Sequence, residues 1–162
     1  MSFRIGFGFD VHQLVEGREF WLGGINIPFN KGALGHSDAD VLIHVICDAL
    51  LGAANLGDIG KHFPDSSDEY KDIDSKILLE RVMGLIRKGG YEIGNIDSTI
   101  CLETPKLESY IDLMRGELSR CMNIKVDVIS IKATTTEKLG FVGREEGISA
   151  YAIVLINKVG VS

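Results

Sequence analysis

Asp10, His12 and His44 are the residues of this chain whose types and spacing most directly suggest chemistry. Residues two apart in a strand point to the same side, so Asp10 and His12 project together if residues 9–13 are extended. His44 sits in a stretch with helically spaced apolar residues and offers a third donor. One carboxylate and two imidazoles suit a divalent ion, and three protein ligands leave one position of a tetrahedral zinc open. The tripeptide alone is also consistent with a capped turn carrying a surface histidine. A lone histidine bordering an apolar face is more often a satisfied core residue than a ligand. The presence of both groups in one chain favours the ligand reading. Asp40 and Asp48 flank His44 at four residues on either side, and one of them could accept its second ring N–H.

Other polar clusters point the same way. His36-Ser37 precedes the helical stretch, where backbone N–H groups favour phosphate. The plainer reading makes Ser37 or Asp38 a helix cap and His36 a loop residue. Thr134-Thr135-Thr136-Glu137-Lys138 follows a strand end and combines three hydroxyls, a carboxylate and an ammonium. That set suits a phosphate with Mg²⁺ or Mn²⁺, the competing reading being a solvated turn. Gly140-Phe141-Val142-Gly143-Arg144 adds an aromatic between glycines and a cation. No Gly-x-Ser-x-Gly, Walker A or dinucleotide glycine motif occurs in a suitable setting, so covalent catalysis is not indicated. Metal-assisted phosphoryl transfer without an enzyme nucleophile is the reaction class these parts fit.

These residues need elements to hold them. The chain has 162 residues, 45% hydrophobic and 25% charged, which suits one globular domain. A net charge of -6 argues against nonspecific binding to nucleic acid or anionic membranes. The three cysteines show no paired spacing, and Cys47 and Cys101 read as buried small hydrophobes in a reducing, cytosolic protein. No signal peptide or membrane span is read, so a bacterial cytosol is expected, or a plastid-type organelle if a transit peptide has been removed. The patterning predicts a strand over 3–9, a hairpin over 20–28 turning at Gly23-Gly24, and a helix over 38–54. A long loop over 55–72 follows, then a helix over 74–88 stopped by Gly89-Gly90. A strand over 93–102, a helix over 107–122, and strands over 126–133 and 147–158 complete the chain. The expected architecture is a single-domain α+β sandwich over residues 1–162, with one mixed sheet packed on helices and a small hairpin.

The combination resembles the 2-C-methyl-D-erythritol 2,4-cyclodiphosphate synthase family of non-mevalonate isoprenoid biosynthesis. The matching pieces are Gly8-Phe9-Asp10-Val11-His12, Gly35-His36-Ser37-Asp38-Ala39-Asp40, Gly57-Asp58-Ile59-Gly60, Phe63-Pro64-Asp65 and Ala133-Thr134-Thr135-Thr136-Glu137-Lys138. The resemblance covers nearly the whole chain and implies a homotrimer with active sites between neighbouring subunits. It implies cyclisation of 4-diphosphocytidyl-2-C-methyl-D-erythritol 2-phosphate with loss of CMP. Asp10, His12 and His44 would hold one Zn²⁺ per chain, and Glu137 would hold Mg²⁺ or Mn²⁺. His36 and Thr135 would be catalytic, stabilising the transition state. Substrate contacts would come from Ser37, Asp58, Ile59, Gly60, Phe63, Pro64, Asp65, Ser66, Ser67, Phe141 and Arg144. Leu102, Glu103, Thr104, Pro105, Lys106, Leu107 and Glu108, with Thr134 and Thr136, would hold the cytidine end from the adjacent subunit. A metal-dependent phosphohydrolase and a non-enzymatic trimeric zinc protein are the competing expectations.

Overall fold

The computed structural model describes residues 2–64 and 68–160. A five-stranded mixed sheet runs in the order β4-β1-β7-β5-β6, and a separate hairpin joins β2 to β3. β1 (Phe3–Glu16) and β7 (Gly147–Lys158) form the long antiparallel centre. β4 (Lys31–Ala33) adds to one edge; β5 (Tyr91–Cys101) and β6 (Ile129–Thr134) build the other. β5 and β6 are parallel, and α4 (Ile111–Met122) supplies the crossover such a pair requires. α1 (Val41–Ala53), α3 (Ser75–Lys88) and α4 pack on one face of the sheet.

α1 is the centre of the core. Ten of its side chains are buried, covering almost its whole circumference, as expected of a helix enclosed by other elements. His44, Asp48 and Gly52 are the residues not buried, and they recur every four positions. They form one narrow polar stripe on an otherwise apolar cylinder. β1 meets this helix through glycine. A Cβ on Gly6 would lie 1.8 Å from the Ala49 carbonyl oxygen, and one on Gly8 would lie 2.2 Å from that of Val45. Gly6 and Gly8 share a strand face with Asp10 and His12. Close approach at the glycines therefore brings the next two residues of that face up to the start of α1.

The sequence reading holds for the hairpin, with β2 at Phe20–Leu22 and β3 at Ile25–Ile27, and for β7. The first strand is longer than expected, reaching Glu16, because its second half pairs with β7 and β4. α1 starts at Val41; its cap is Asp40, whose side chain accepts from Ile43 N. Neither Ser37 nor Asp38 caps it. The expected loop over 55–72 contains α2 (Ile59–His62), capped by Asp58, and a 3₁₀ turn at Asp68–Tyr70. Residues 108–110 and 126–128 are 3₁₀ turns, so the third long helix and the sixth strand both begin later than their apolar residues suggest. β4 and α5 (Gly140–Gly143) are too short to carry a periodic signal. Cys47 is buried, whereas Cys101 is only half-buried at the end of β5.

Candidate functional site

Asp10, His12 and His44 converge as the spacing requires. Asp10 Oδ2 lies 3.0 Å from His12 Nε2 and 3.2 Å from His44 Nδ1, and the two ring nitrogens are 3.2 Å apart. Three donors each 2.0–2.1 Å from a tetrahedral ion stand about 3.3 Å apart, so this triangle has the size of a three-ligand metal site. His12 Nδ1 donates to the Leu34 carbonyl oxygen at 3.1 Å. A carbonyl can only accept, so Nδ1 carries the proton and Nε2 turns a lone pair into the triangle. The donor set forms the group among the described residues able to hold a metal ion.

The electrostatics are those of a cation site. Burial opposes charge on Asp10, but hydrogen bonds and attraction from His12 and His44 hold its carboxyl well below the usual range. Burial likewise opposes charge on His44, and the Asp10 carboxylate outweighs it, raising the imidazole above its ordinary value. Where no metal is bound, a shared proton balances the carboxylate; a metal takes that role by displacing it.

The second ring nitrogen of His44 does not reach either flanking aspartate. Asp40 receives the backbone N–H groups of Gly23 and Gly24 at 2.9 and 2.7 Å, and Asp48 receives Ile59 N at 2.7 Å. Both carboxylates are committed to joining neighbouring segments. His44 Nε2 instead lies 2.9 Å from Ser75 Oγ and 3.2 Å from Ser37 Oγ. Because Asp40 fills the α1 cap through Ile43 N, the start of α1 is not an open phosphate cradle.

The triangle opens onto a cavity of about 380 Å³ lined by His36, Ser37, Ile59, Gly60 and Phe63, among others. Asp48, Tyr70, Ile73 and Leu78 also line it and went unread as cavity residues. Only Asp48 left a signal, four residues beyond His44. Asp58 does not line this cavity; it caps α2 by accepting Lys61 N at 2.9 Å. Pro64 is exposed beside it, and Asp65, Ser66 and Ser67 lie outside the described residues.

Thr134 and Thr135 line a second cavity, of about 390 Å³, with Leu102, Pro105, Lys106, Leu107 and Glu108. Ile111, Ile131 and Ala133 complete its apolar wall, and Thr104-Pro105 is cis. Glu103 stands behind it, accepting Thr136 N at 3.4 Å. The threonine loop is bent tightly. Glu137 and Lys138 take φ of 54° and 61°, and a Cβ on Gly143 would lie 2.1 Å from Lys138 C. Thr136 Oγ1 donates to Leu139 O at 2.7 Å, which leaves the exposed Glu137 side chain directed by backbone geometry. Phe141 is exposed and packs beside Gly147, while Arg144 makes a two-pronged ion pair with Glu146 at 2.9 and 3.0 Å.

His36 and Thr135 therefore line different cavities. The register Val11↔Ser149, Ser149↔Cys101 and Cys101↔Thr134 puts three strand spacings between the metal strand and the threonine strand. That separation is about 14 Å.

A profile of the YgbB family matches residues 3–157. The 2-C-methyl-D-erythritol 2,4-cyclodiphosphate synthase of Bacteroides fragilis is 69% identical over 159 residues, covering 98% of this chain and 100% of that one. The bifunctional IspDF of Campylobacter jejuni has a TM-score of 0.92 at 40% identity, covering 96% of this chain and 42% of that longer one. IspF of Plasmodium falciparum, solved as a CDP complex, has a TM-score of 0.86 at 34% identity and 98% coverage of both chains. Identity at this level along the whole of a relative, on the same fold, makes this chain a member of the YgbB family, the 2-C-methyl-D-erythritol 2,4-cyclodiphosphate synthases.

Proposed function

We propose a division of labour among this chain's residues for the family reaction. That reaction converts 4-diphosphocytidyl-2-C-methyl-D-erythritol 2-phosphate to 2-C-methyl-D-erythritol 2,4-cyclodiphosphate and CMP. The 2-phosphate attacks the β-phosphorus, the bond from that phosphorus to the bridging oxygen of CMP breaks, and CMP carries the electron pair away. The substrate supplies its own nucleophile. The protein's task is positioning and charge stabilisation, and positioning of this kind contributes up to roughly 10 kcal/mol.

The observation that carries the assignment is the converging triangle of Asp10 Oδ2, His12 Nε2 and His44 Nδ1, open on one side to a cavity. These atoms would hold Zn²⁺, with the open side of the triangle facing the cavity that would take the diphosphate. Bound there, zinc supplies positive charge that polarises and orients the diphosphate. Glu137 offers one exposed carboxylate to Mg²⁺ or Mn²⁺, in keeping with the habit of Mg²⁺ of binding through one or two carboxylates plus substrate phosphates. His36 and Ser37 hold the phosphate groups beside the triangle. Ile59, Gly60 and Phe63, which line the cavity, hold the erythritol, and Asp58 fixes Ile59 and Gly60 by capping α2. The cavity lined by Leu102, Pro105 to Glu108 and Thr134 holds the cytidine, with Thr135 beside the departing phosphate, while Glu103 holds Thr136 N behind it. Phe141, which is exposed, and Arg144, which is paired with Glu146, complete the substrate contacts. A cytidine-binding role is supported by the Plasmodium falciparum relative, which was solved with CDP.

The two cavities belong to one reaction if they come from neighbouring chains of a homotrimer. Support comes from the sheet face opposite the helices. Phe3, Ile5, Phe7, Phe9, Val11, Tyr151 and Ile153 are 39–62% exposed there, a continuous apolar surface of the kind that marks an interface. Residues 1–162 then act as one cyclodiphosphate synthase domain. No helix among the described residues is long and apolar enough to cross a membrane. The matched relatives are largely bacterial, which supports a cytoplasmic setting.

Incubation with the diphosphocytidyl substrate and Mg²⁺ should release CMP and the cyclic diphosphate in equal amounts. A linear product carrying solvent ¹⁸O would instead establish a phosphohydrolase.

A further inference from the structure

Asp38 and Ser75 are the polar pair beside the site that the reaction leaves without a task. Ser75 is the first residue of α3 and is fully buried. Its N–H donates to Asp38 Oδ2 at 2.9 Å, and its hydroxyl donates to Asp38 Oδ1 in a very short bond. Asp38 is itself fixed: its N–H donates to the Ile73 carbonyl at 3.2 Å, and its Oδ1 accepts Asp40 N at 3.2 Å. The helix cap of α3 is already provided by Asp74, which accepts Lys76 N at 2.9 Å. Capping alone therefore does not account for the Asp38–Ser75 pair.

A hydroxyl has one proton, and Ser75 spends it on Asp38. Towards His44 Nε2, 2.9 Å away, the Ser75 oxygen can only accept. Nε2 must then carry a proton, so Nδ1 is the nitrogen left to offer a lone pair to a metal once the proton it shares with Asp10 is displaced. Ser37 Oγ also faces Nε2 at 3.2 Å while accepting Ala39 N at 3.1 Å, but Ser37 lines the substrate cavity and is free to exchange partners when substrate arrives. Ser75 lies behind the ring and is not.

We propose that Ser75, oriented by Asp38, is the positioning residue that fixes the tautomer and ring angle of His44, so that Nδ1 is presented as a ready metal ligand. This inference rests on the reading of Asp10, His12 and His44 as a metal site. It couples the start of α3 to the metal through an Asp–Ser–His chain. Groups of this kind, behind a ligand, are worth roughly 10–100-fold in metal affinity.

The test uses full-length protein and Co²⁺ as a spectroscopic probe. Ser75→Ala should weaken Co²⁺ binding 10–100-fold in competition with a chelator and alter the tetrahedral absorption bands. Ser75→Thr, which keeps the hydroxyl, should recover most of both. A role confined to helix capping would lower the melting temperature of Ser75→Ala and leave affinity and spectrum unchanged, and that result overturns the proposal. The wild-type protein gives an independent reading should Ser75→Ala fail to fold. With zinc bound, ¹⁵N spectra should show the His44 proton on Nε2; a proton on Nδ1 with zinc on Nε2 refutes the proposal. Wild-type protein that binds no Co²⁺ would sink the metal-site reading itself, whereas tight binding by both wild type and Ser75→Ala would sink only this inference.

Discussion

At the scale of single residues, the site works by committing each donor atom once. The Leu34 carbonyl occupies His12 Nδ1, serine hydroxyls occupy His44 Nε2, and three remaining donors face one point. His44→Ala removes one ligand from the polar edge of α1 and leaves the buried surface of that helix intact. It should abolish stoichiometric zinc binding and CMP release while the circular dichroism spectrum stays native; collapse of the fold would mean that the zinc is structural. The titration of the same residues sets a pH dependence. His44 is raised from 6.5. In chelator, its contribution to stability is fully present below about 6.5 and is lost as the pH rises through its higher folded value. Asp10 is lowered from 3.8, so its contribution is present above that value and is lost as the pH falls towards its folded value. Metal-free protein should therefore gain most from this cluster between about pH 4 and 6.5, and lose that gain towards either extreme. Zinc-loaded protein should show the reverse slope near neutrality, because acid returns the protons that zinc displaced. Thermal melts across pH with and without chelator would check both slopes.

At the scale of elements, β1 and α1 act as one unit. Gly6 and Gly8 admit the helix so closely that donor atoms of two strand residues and one helix residue meet at one point. Gly8→Ala drives a methyl towards the Val45 carbonyl, a backbone atom that cannot rotate away. It should cost about 3 kcal/mol or more. It should also weaken zinc binding, since Asp10 lies two residues further along the same face. Gly52, on the same helix, has open space where its Cβ would be. Gly52→Ala should stabilise by up to about 1 kcal/mol and leave zinc binding unchanged. Urea midpoints with a zinc titration separate the two cases.

At the scale of the whole molecule, β1 and β6, which carry the metal ligands and the threonine run, stand about 14 Å apart in one sheet, and the uncovered face is apolar. Phe7→Asp places a carboxylate in that face. It should reduce the sedimenting mass from three times 17.7 kDa to 17.7 kDa and abolish CMP release while zinc binding persists. Complementation tests the shared site directly. His44→Ala and Thr135→Ala chains should each be inactive alone. If each site draws one wall from each neighbour, chains co-refolded at equal amounts should recover activity at about one quarter of the interfaces. No recovery would place both walls of the site in one chain.

The sequence by itself determined the chemistry and most of the elements. Asp10 and His12 are legible because alternation in a strand is local, and His44 is legible because helical periodicity is local too. The hairpin at Gly23-Gly24 and the Gly89 stop are local for the same reason. The resemblance extended that reading to the phosphate and nucleotide residues, whose order along the chain is distinctive. Only the tertiary structure decided which groups stand behind the ligands. Asp40 and Asp48 have the right spacing to serve His44, yet both are drawn off by backbone N–H groups of segments distant in sequence. Ser75, 31 residues away, takes the place they were expected to fill. Likewise His36 and Thr135, read together as a catalytic pair, are held on separate walls by the strand order. Strand order and the partners of buried polar groups are set by long-range packing, which a local pattern of residues does not encode.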